Sequence, residues 1–183
     1  MKRLLLSVLW LQSMALAQIE WSEVIQQEGR PLARSGACMA YDSARGNYVL
    51  FGGAQGGRYF GDTWIWNGTS WAELHPSASP AARSGSCMAY DSIRQRVVLC
   101  GGFNLQGLYS DTWEWNGITW MRRTPAVSPP VRFQSAMTFD SSRGKCVLFG
   151  GLVAFLNEAN DTWEWDGASW IQRTSTIVPP VRR

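Results

Sequence analysis

Short apolar stretches, polar turns and paired glycines alternate along the chain, and in its middle part they predict one small antiparallel unit. Residues 96–100 are apolar and β-branched on both faces, which predicts a strand covered on both sides. Trp113 and Trp115 are two residues apart, so they share one face of a later strand. Asn116 and Gly117 then predict a tight hairpin turn. The unit therefore has four predicted strands, within 83–91, 96–100, 111–115 and 119–123.

This unit occurs three times with a period near fifty residues. The segment Asp-Thr-Trp-x-Trp-x-Gly begins at Asp62, Asp111 and Asp161. A glycine pair precedes each copy and a lone tryptophan follows it: Gly52 and Gly53, Gly101 and Gly102, Gly150 and Gly151, then Trp71, Trp120 and Trp170. A fixed period of this length indicates a supersecondary unit copied in tandem, which buries its faces only against its neighbours. Four short antiparallel strands per unit predict an all-β propeller in which each unit is one blade.

The repeat resembles the kelch repeat over essentially all of residues 19–183. The glycine pair that ends strand two, the aromatic pair in strand three, the tryptophan in strand four and the period carry this resemblance. It is similar in particular to exported bacterial kelch proteins. The resemblance implies a kelch-type β-propeller of the galactose-oxidase-like superfamily, with about three four-stranded antiparallel blades forming an incomplete ring. The expected boundaries are a lone outermost strand of the ring-closing type at 18–30, blades at 31–79, 80–128 and 129–178, and the start of a fourth repeat at 179–183.

Three blades with two partial ends do not close a ring, because propellers typically have about four to eight blades. Two explanations stay open at this point. The sequence is a fragment of a longer propeller, which we expect, or several copies associate to close one ring. Because the tryptophans recur at repeat positions, they are expected to be wedges that pack one blade onto the next rather than a platform for sugars.

The first 17 residues have the layout of a secretory signal peptide. The start is basic, residues 4–16 are mostly apolar, and Ala15 and Ala17 form a small-x-small cleavage site before Gln18. We therefore expect a secreted, periplasmic or cell-surface protein, with an uncleaved anchor as the alternative. No later stretch is apolar enough to span a bilayer. The net charge of +3 is too small to indicate nucleic-acid binding.

The four cysteines occupy repeat positions that are typical of core sites: Cys38, Cys87, Cys100 and Cys146. We expect buried thiols, with disulfides in one of three pairings as the alternative. The chain contains no CxxC pair, and its single histidine is His75 in a loop. We therefore expect no metal site and no cofactor.

The candidate binding residues lie at one mouth of the predicted propeller, where the loops between strands two and three meet the starts of the first strands. The loop candidates differ from blade to blade: Arg58, Tyr59 and Phe60, then Leu108 and Tyr109, then Phe155 and Glu158. Variable loops on repeated blades are typical of a recognition surface. The alternative is that these loops only cover the blade tips. The arginine candidates repeat, at Arg34, Arg83 and Arg132. They would grip carboxylate or sulfate groups, or bond the repeated aspartates.

The sequence contains no nucleophile elbow, phosphate loop or metal cluster. We therefore expect an exported, non-catalytic module that recognises another protein through its mouth loops. The alternative is a glycan-binding module, or the propeller part of a carbohydrate-active enzyme whose catalytic residues lie outside this chain. A purely structural role is the third hypothesis, and it includes self-association if the chain is not a fragment.

Overall fold

The computed structural model describes residues 29–154 and 157–174, and within them the chain consists of strands and turns. No helix in this part of the chain is long and apolar enough to cross a membrane. The predicted signal peptide at 1–17, most of the predicted lone strand at 18–30 and the predicted fourth repeat at 179–183 lie outside the described residues. The strands are β1 (Cys38–Asp42), β2 (Asn47–Phe51), β3 (Ala54–Gln55), β4 (Arg58–Tyr59), β5 (Thr63–Trp66), β6 (Trp71–Leu74), β7 (Cys87–Asp91), β8 (Arg96–Cys100), β9 (Phe103–Asn104), β10 (Gly107–Leu108), β11 (Thr112–Trp115), β12 (Trp120–Arg123), β13 (Ala136–Asp140), β14 (Lys145–Ala154), β15 (Asn157–Trp165) and β16 (Trp170–Arg173).

Three four-stranded antiparallel sheets form the blades. Their strand orders are β1-β2-β5-β6 in blade 1, β7-β8-β11-β12 in blade 2 and β13-β14-β15-β16 in blade 3. Two short hairpins, β3–β4 and β9–β10, stand on the connections between the second and third long strands of blades 1 and 2. The all-β class and the unclosed set of four-stranded blades are confirmed for the described residues.

The turn between the third and fourth strands shows why each copy has Asn-Gly or Asp-Gly at this place. In blade 2, Gly117 has φ +96°, a left-handed conformation that glycine adopts without steric cost. The side-chain Oδ1 of Asn116 accepts hydrogen bonds from the backbone N–H groups of Ile118 and Thr119, at 2.8 and 2.9 Å. The side chain thus holds the turn that sets the register of β11 on β12, with Trp115 opposite Trp120.

The hydrophobic core lies between the blades. We call the face of a blade toward the following blade its front face, and the face toward the preceding blade its back face. The front face of blade 1 packs on the back face of blade 2 through Cys38, Val49 and Phe51 against Met88, Val97, Leu99, Trp115 and Trp120. The front face of blade 2 packs on the back face of blade 3 through Cys87, Ala89, Val98 and Cys100 against Cys146, Leu148, Trp163, Trp165 and Trp170. The prediction that the tryptophans are inter-blade wedges is confirmed for these buried indoles.

Hydrogen bonds from indole N–H groups join the packed faces. Trp120 Nε1 of blade 2 donates to Thr63 Oγ1 of blade 1 at 2.9 Å, and Trp170 Nε1 of blade 3 donates to Thr112 Oγ1 of blade 2 at 2.8 Å. All of these groups are buried, so each bond satisfies a donor that water does not reach. The threonine of the repeated Asp-Thr-Trp segment is therefore the acceptor for the next blade.

A second hydrogen bond from an indole to the preceding blade exists at only one of the two described boundaries. Trp165 Nε1 donates to Glu114 Oε1 at 3.0 Å, but Trp115, at the same repeat position, has a buried Nε1 without an acceptor. The reason is the residue opposite it, since Ile65 stands in blade 1 where Glu114 stands in blade 2. An unpaired buried donor costs stability, and here the apolar side chain takes the place of the acceptor.

All four cysteines are buried and free, which confirms the prediction of buried thiols. Cys87 lies directly opposite Cys100 on the neighbouring strand. Burial raises the pKa of Cys38 to about 12, and burial also raises the pKa of Cys146 to about 12. These two thiols therefore stay protonated at neutral pH and pack as small apolar groups.

Candidate functional site

An arginine, an aspartate and a tryptophan that bond to one another support the mouth of each of the three described blades. In blade 2 the Arg83 guanidinium pairs with both carboxylate oxygens of Asp111, and its Nη2–Oδ2 distance is 2.9 Å. Arg83 Nη1 also donates to the backbone oxygen of Gly101 at 3.1 Å, and Trp113 Nε1 donates to Asp111 Oδ2 at 2.8 Å. The same set occurs in the other blades as Arg34, Asp62 and Trp64 and as Arg132, Asp161 and Trp163.

These pairs keep the aspartates ionised. Burial by itself raises the pKa of Asp111, but the hydrogen bonds and charge of Arg83 lower it by more. The pKa of Asp111 therefore lies below its ordinary value of 3.8. The same balance of burial against arginine lowers the pKa values of Asp62 and Asp161. The side chain of Arg83 is 1% exposed, so its guanidinium group interacts with protein atoms and not with solvent. The geometry supports the structural alternative for the three arginines, and a direct contact of theirs with a ligand stays a prediction.

The glycine pair brings the next blade against this support. Gly102 N–H donates to the backbone oxygen of Arg132 at 2.8 Å, and a Cβ on Gly101 would lie 2.5 Å from that same oxygen. Any side chain at Gly101 would therefore push blade 3 away from blade 2. Gly52 has the same relation to Arg83 at the first boundary, with its added Cβ 2.5 Å from the arginine oxygen. The repeated glycines thus fix the spacing of the loops at the mouth.

The variable loops are short hairpins. In blade 1, β3 pairs with β4 through Ala54 opposite Tyr59, and Gly56 and Gly57 at the tip have positive φ angles. In blade 2, β9 pairs with β10, and the tip residue Leu105 is 86% exposed. In blade 3, β14 and β15 themselves extend into the loop. Backbone pairing therefore holds these loops in defined positions.

Four of the predicted residues line one cleft of about 590 Å³ in blade 1: Arg34, Arg58, Tyr59 and Phe60. Phe60 is 5% exposed and its ring has two guanidinium groups near it, with Arg34 Cζ 4.1 Å and Arg58 Cζ 5.2 Å from the ring centre. A guanidinium cation is attracted electrostatically to the face of an aromatic ring. Phe60 therefore acts as a support, and the exposed Arg58 is the group of this set that faces solvent.

Three other predicted residues line a separate cleft of about 370 Å³ in blade 2: Arg83, Leu108 and Tyr109. Arg83 Cζ lies 3.8 Å from the centre of the Tyr109 ring. Asn104 Nδ2 donates to Tyr109 Oη at 2.7 Å, so this ring is held on both its face and its hydroxyl. Repeat-equivalent positions on the two cleft walls carry opposite charges, Glu73 in blade 1 and Arg122 in blade 2. The two clefts therefore share their geometry and differ in their electrostatics.

Of the three remaining predicted residues, Arg132 and Glu158 do not line either of these two clefts. Glu158 is half-buried on β15 opposite Leu152, and Phe155 lies outside the described residues. Across residues 29–154 and 157–174, no cluster of three or more histidine, cysteine, aspartate and glutamate side chains forms a metal-ligand set.

Sequence reasoning missed a row of aromatic rings that crosses the mouth from blade to blade. The ring centres of Tyr59 and Phe103 are 5.7 Å apart, and those of Phe103 and Phe133 are 4.8 Å apart. Gly85 makes room for the row, since its added Cβ would lie 3.3 Å from Phe103 and 3.4 Å from Phe133. The available signal was the departure of Phe133 from the serine that the other two copies have at this position.

A family model agrees with this fold along most of the chain. The model described as the KLHDC2/KLHL20/DRC7 Kelch-repeats domain matches residues 7–171. No curated protein gives a significant match. The match includes blades 1 and 2 and blade 3 as far as residue 171, with the glycine pairs and tryptophan wedges of all three, so the chain belongs to the kelch-repeat domain family.

Proposed function

We propose that this protein is an exported, non-catalytic module that binds another protein through the hairpin loops at the mouth of its blades. A kelch-repeat domain indicates a protein-interaction module in general terms. The choice of the mouth is supported by the contrast between repeated supports and variable tips. The Arg–Asp–Trp sets are the same in every blade, whereas the loops above them differ in length and side chains. A rigid scaffold with variable loops is the usual arrangement of a recognition surface.

The single observation that carries the proposal is the arrangement of Arg58. Arg58 is exposed, and its guanidinium carbon lies 5.2 Å from the centre of the buried Phe60 ring, which the Arg34 guanidinium also contacts. A pre-positioned guanidinium loses less conformational entropy on binding and pairs well with a planar carboxylate. Arg30 adds a second positive charge to the same cleft, and Glu73 contributes one negative charge. The cleft therefore suits an acidic side chain of a protein partner.

The neighbouring hairpin adds an apolar contact. Leu105 is 86% exposed at its tip, and Gln106 N–H donates to Asn104 Oδ1 at 2.8 Å, which holds the tip in place. A large apolar side chain held in this way is a ready anchor for a protein interface. We therefore propose a partner segment that carries an acidic residue for Arg58 and an apolar surface for Leu105.

Site-specific photo-crosslinking tests this proposal. A photoreactive residue replaces Arg58 or Leu105 in the full chain, which is then exposed to surface proteins of the source cells. We expect covalent protein adducts from both positions. The matched control is Ile118, which is 80% exposed but lies in the turn at the opposite end of the blade. Equal adducts from position 118 would contradict the proposal. Binding to a glycan array that Arg58→Ala abolishes would instead favour the glycan alternative.

Export is tested separately. We expect the chain produced in a bacterial host to leave the cytoplasm and to begin at Gln18, as measured by mass spectrometry of the intact protein. Removal of residues 1–17 should keep it in the cytoplasm, because the basic and apolar parts of the signal are then lost. A full-length chain in the membrane fraction would favour the uncleaved anchor.

A further inference from the structure

The back face of blade 1 exposes the surface that the other blades bury. Met39 is 52% exposed, whereas Met88, at the same repeat position in blade 2, is 8% exposed. Tyr41 and Tyr48 of the same face are also exposed. An apolar sheet face of this kind indicates an interaction surface.

The front face of blade 3, at the other end of the blade array, also exposes positions that are buried in blade 2. Ala136 and Thr138 are exposed there, whereas Cys87 and Ala89, their equivalents in blade 2, are buried. Phe149 is partly exposed, although the equivalent Cys100 is 1% exposed. Within the described residues, the two ends of the blade array are thus the two halves of an inter-blade contact, one back face and one front face.

The two internal boundaries show what such a contact requires. The acceptors on the front face are a threonine for the strand-four indole and, between blades 2 and 3, a glutamate for the strand-three indole. In addition, an arginine of the first hairpin turn reaches the Asn-Gly turn of the following blade. Arg45 Nη2 donates to the backbone oxygen of Asn116, and an added Cβ on Gly117 would overlap the Arg45 side chain. An added Cβ on Gly167 would likewise overlap the Arg94 side chain, although Arg94 Nη1 donates to the backbone oxygen of Gly144 of blade 3, at 2.9 Å.

Blade 1 presents the donor half of this pattern on its back face. Trp66 and Trp71 occupy the positions of Trp115 and Trp120, but they are only partly buried and no described residue accepts a hydrogen bond from their N–H groups. Gly68, the equivalent of Gly117, has open space around its added Cβ. The turn that would receive an arginine is therefore uncovered.

Blade 3 presents the acceptor half on its front face. Thr162 stands where Thr63 and Thr112 accept their indoles. Glu164 stands where Glu114 does, and its Oε1 accepts a hydrogen bond from Arg143 instead of an indole. Arg143 is the repeat equivalent of Arg45 and Arg94. Within the described residues, Arg143 thus bonds to Glu164 of its own blade and not to a turn of another blade.

We propose that a second copy of this chain docks its blade 3 front face on the blade 1 back face, and that two copies close one ring of six blades. Trp71 then donates to Thr162 of the other copy, Trp66 replaces Arg143 at Glu164 Oε1, and Arg143 turns to the Asn67 and Gly68 turn. A head-to-tail contact between identical chains forms a ring when the rotation closes. With the three described blades from each chain, two copies reach a blade number within the usual range of about four to eight, and three copies exceed it.

Native mass measurement of the full chain tests this proposal. We expect a particle of twice the chain mass at micromolar concentrations. Met39→Arg and Ala136→Arg each place a charge on one end face, and both residues are exposed in the single chain, so the blades should still fold. Each variant alone should have the mass of one chain. An equimolar mixture of the two should form a dimer, because one unmodified back face and one unmodified front face remain.

Ile118→Arg is the control, since Ile118 is 80% exposed and lies on neither end face. It should leave the doubled mass unchanged. A single-chain mass for the unmodified protein at every concentration overturns the proposal, whether its end faces are bare or covered by another part of the chain. A dimer that survives both end-face variants also overturns it, because the contact is then elsewhere.

Discussion

Three equivalent threonines offer one substitution with different expected costs. Thr63 and Thr112 are each 1% exposed and accept a hydrogen bond from a buried indole of the next blade. Thr162 has the same place in blade 3, but no described indole donates to it. Thr→Val keeps the shape of the side chain and removes the acceptor. We therefore expect Thr63→Val and Thr112→Val to destabilise the fold and Thr162→Val to have little effect.

The expected size follows from the burial of the donors. Trp120 and Trp170 are 1% and 3% exposed, so water does not replace the lost acceptor. Leaving one buried N–H group unpaired costs about 1–3 kcal/mol. For a chain of this length, each kcal/mol corresponds to about 2–4 °C in Tm. Thr63→Val and Thr112→Val should thus each lower the Tm by roughly 2–12 °C, in proportion to this cost.

The assay is thermal and urea unfolding followed by tryptophan fluorescence. All three variants are made in the Met39→Arg background, in which the proposed second copy cannot contribute an indole to Thr162. A Thr162→Val cost equal to that of Thr112→Val would refute the reasoning, because the loss would then come from the hydroxyl itself and not from the inter-blade bond. No cost at any of the three positions would refute it as well.

Three further predictions concern the core, the thiols and acid stability. Ile65→Glu alone should destabilise the fold by placing at this interface a carboxylate that has no cationic partner. Adding Leu74→Arg should recover about 1.5–3 kcal/mol in urea unfolding, because the pair then supplies Trp115 with the arginine-bound acceptor that Trp165 has. The native protein should react with a thiol reagent at pH 8 only as fast as it unfolds, and immediate labelling would contradict the burial of Cys38, Cys87, Cys100 and Cys146. Asp111 has a lowered pKa in the fold, so its contribution to stability is complete above its ordinary pKa of 3.8 and is lost as the pH falls below that value. Asp111→Asn should therefore flatten the acid part of the stability profile, and an unchanged profile would contradict this assignment.

The blade itself could be predicted from the sequence because its strands depend on local patterns. The apolar segment 96–100 became β8, and the Asn-Gly pair became the turn between β11 and β12. Which side chains meet between blades could not be predicted in the same way. The bond from Trp165 to Glu114 and the missing acceptor of Trp115 depend on residues about fifty positions apart in the chain. Their pairing is set by the offset of one sheet on the next.

The candidate site was likewise predictable in part, because its position follows from the repeat and the exposure of its side chains does not. The repeat indicated that the arginines and loops lie at one mouth, but their accessibility was decided by tertiary contacts. Arg83 is covered by Tyr109 and bound to Asp111, whereas Arg58 stacks on Phe60 and remains exposed. The aromatic row through Phe103 and Phe133 forms only because adjacent blades approach closely across Gly85.

The sequence by itself determined the four-stranded unit, its threefold repetition and the wedge role of the tryptophans, because strand periodicity and turn chemistry act over a few residues. Only the tertiary structure decided which guanidinium groups are buried, which loops meet in one cleft and which sheet faces stay uncovered. These properties arise from the packing of one blade on another, and identical repeats acquire different environments when one has a neighbour and the other has none.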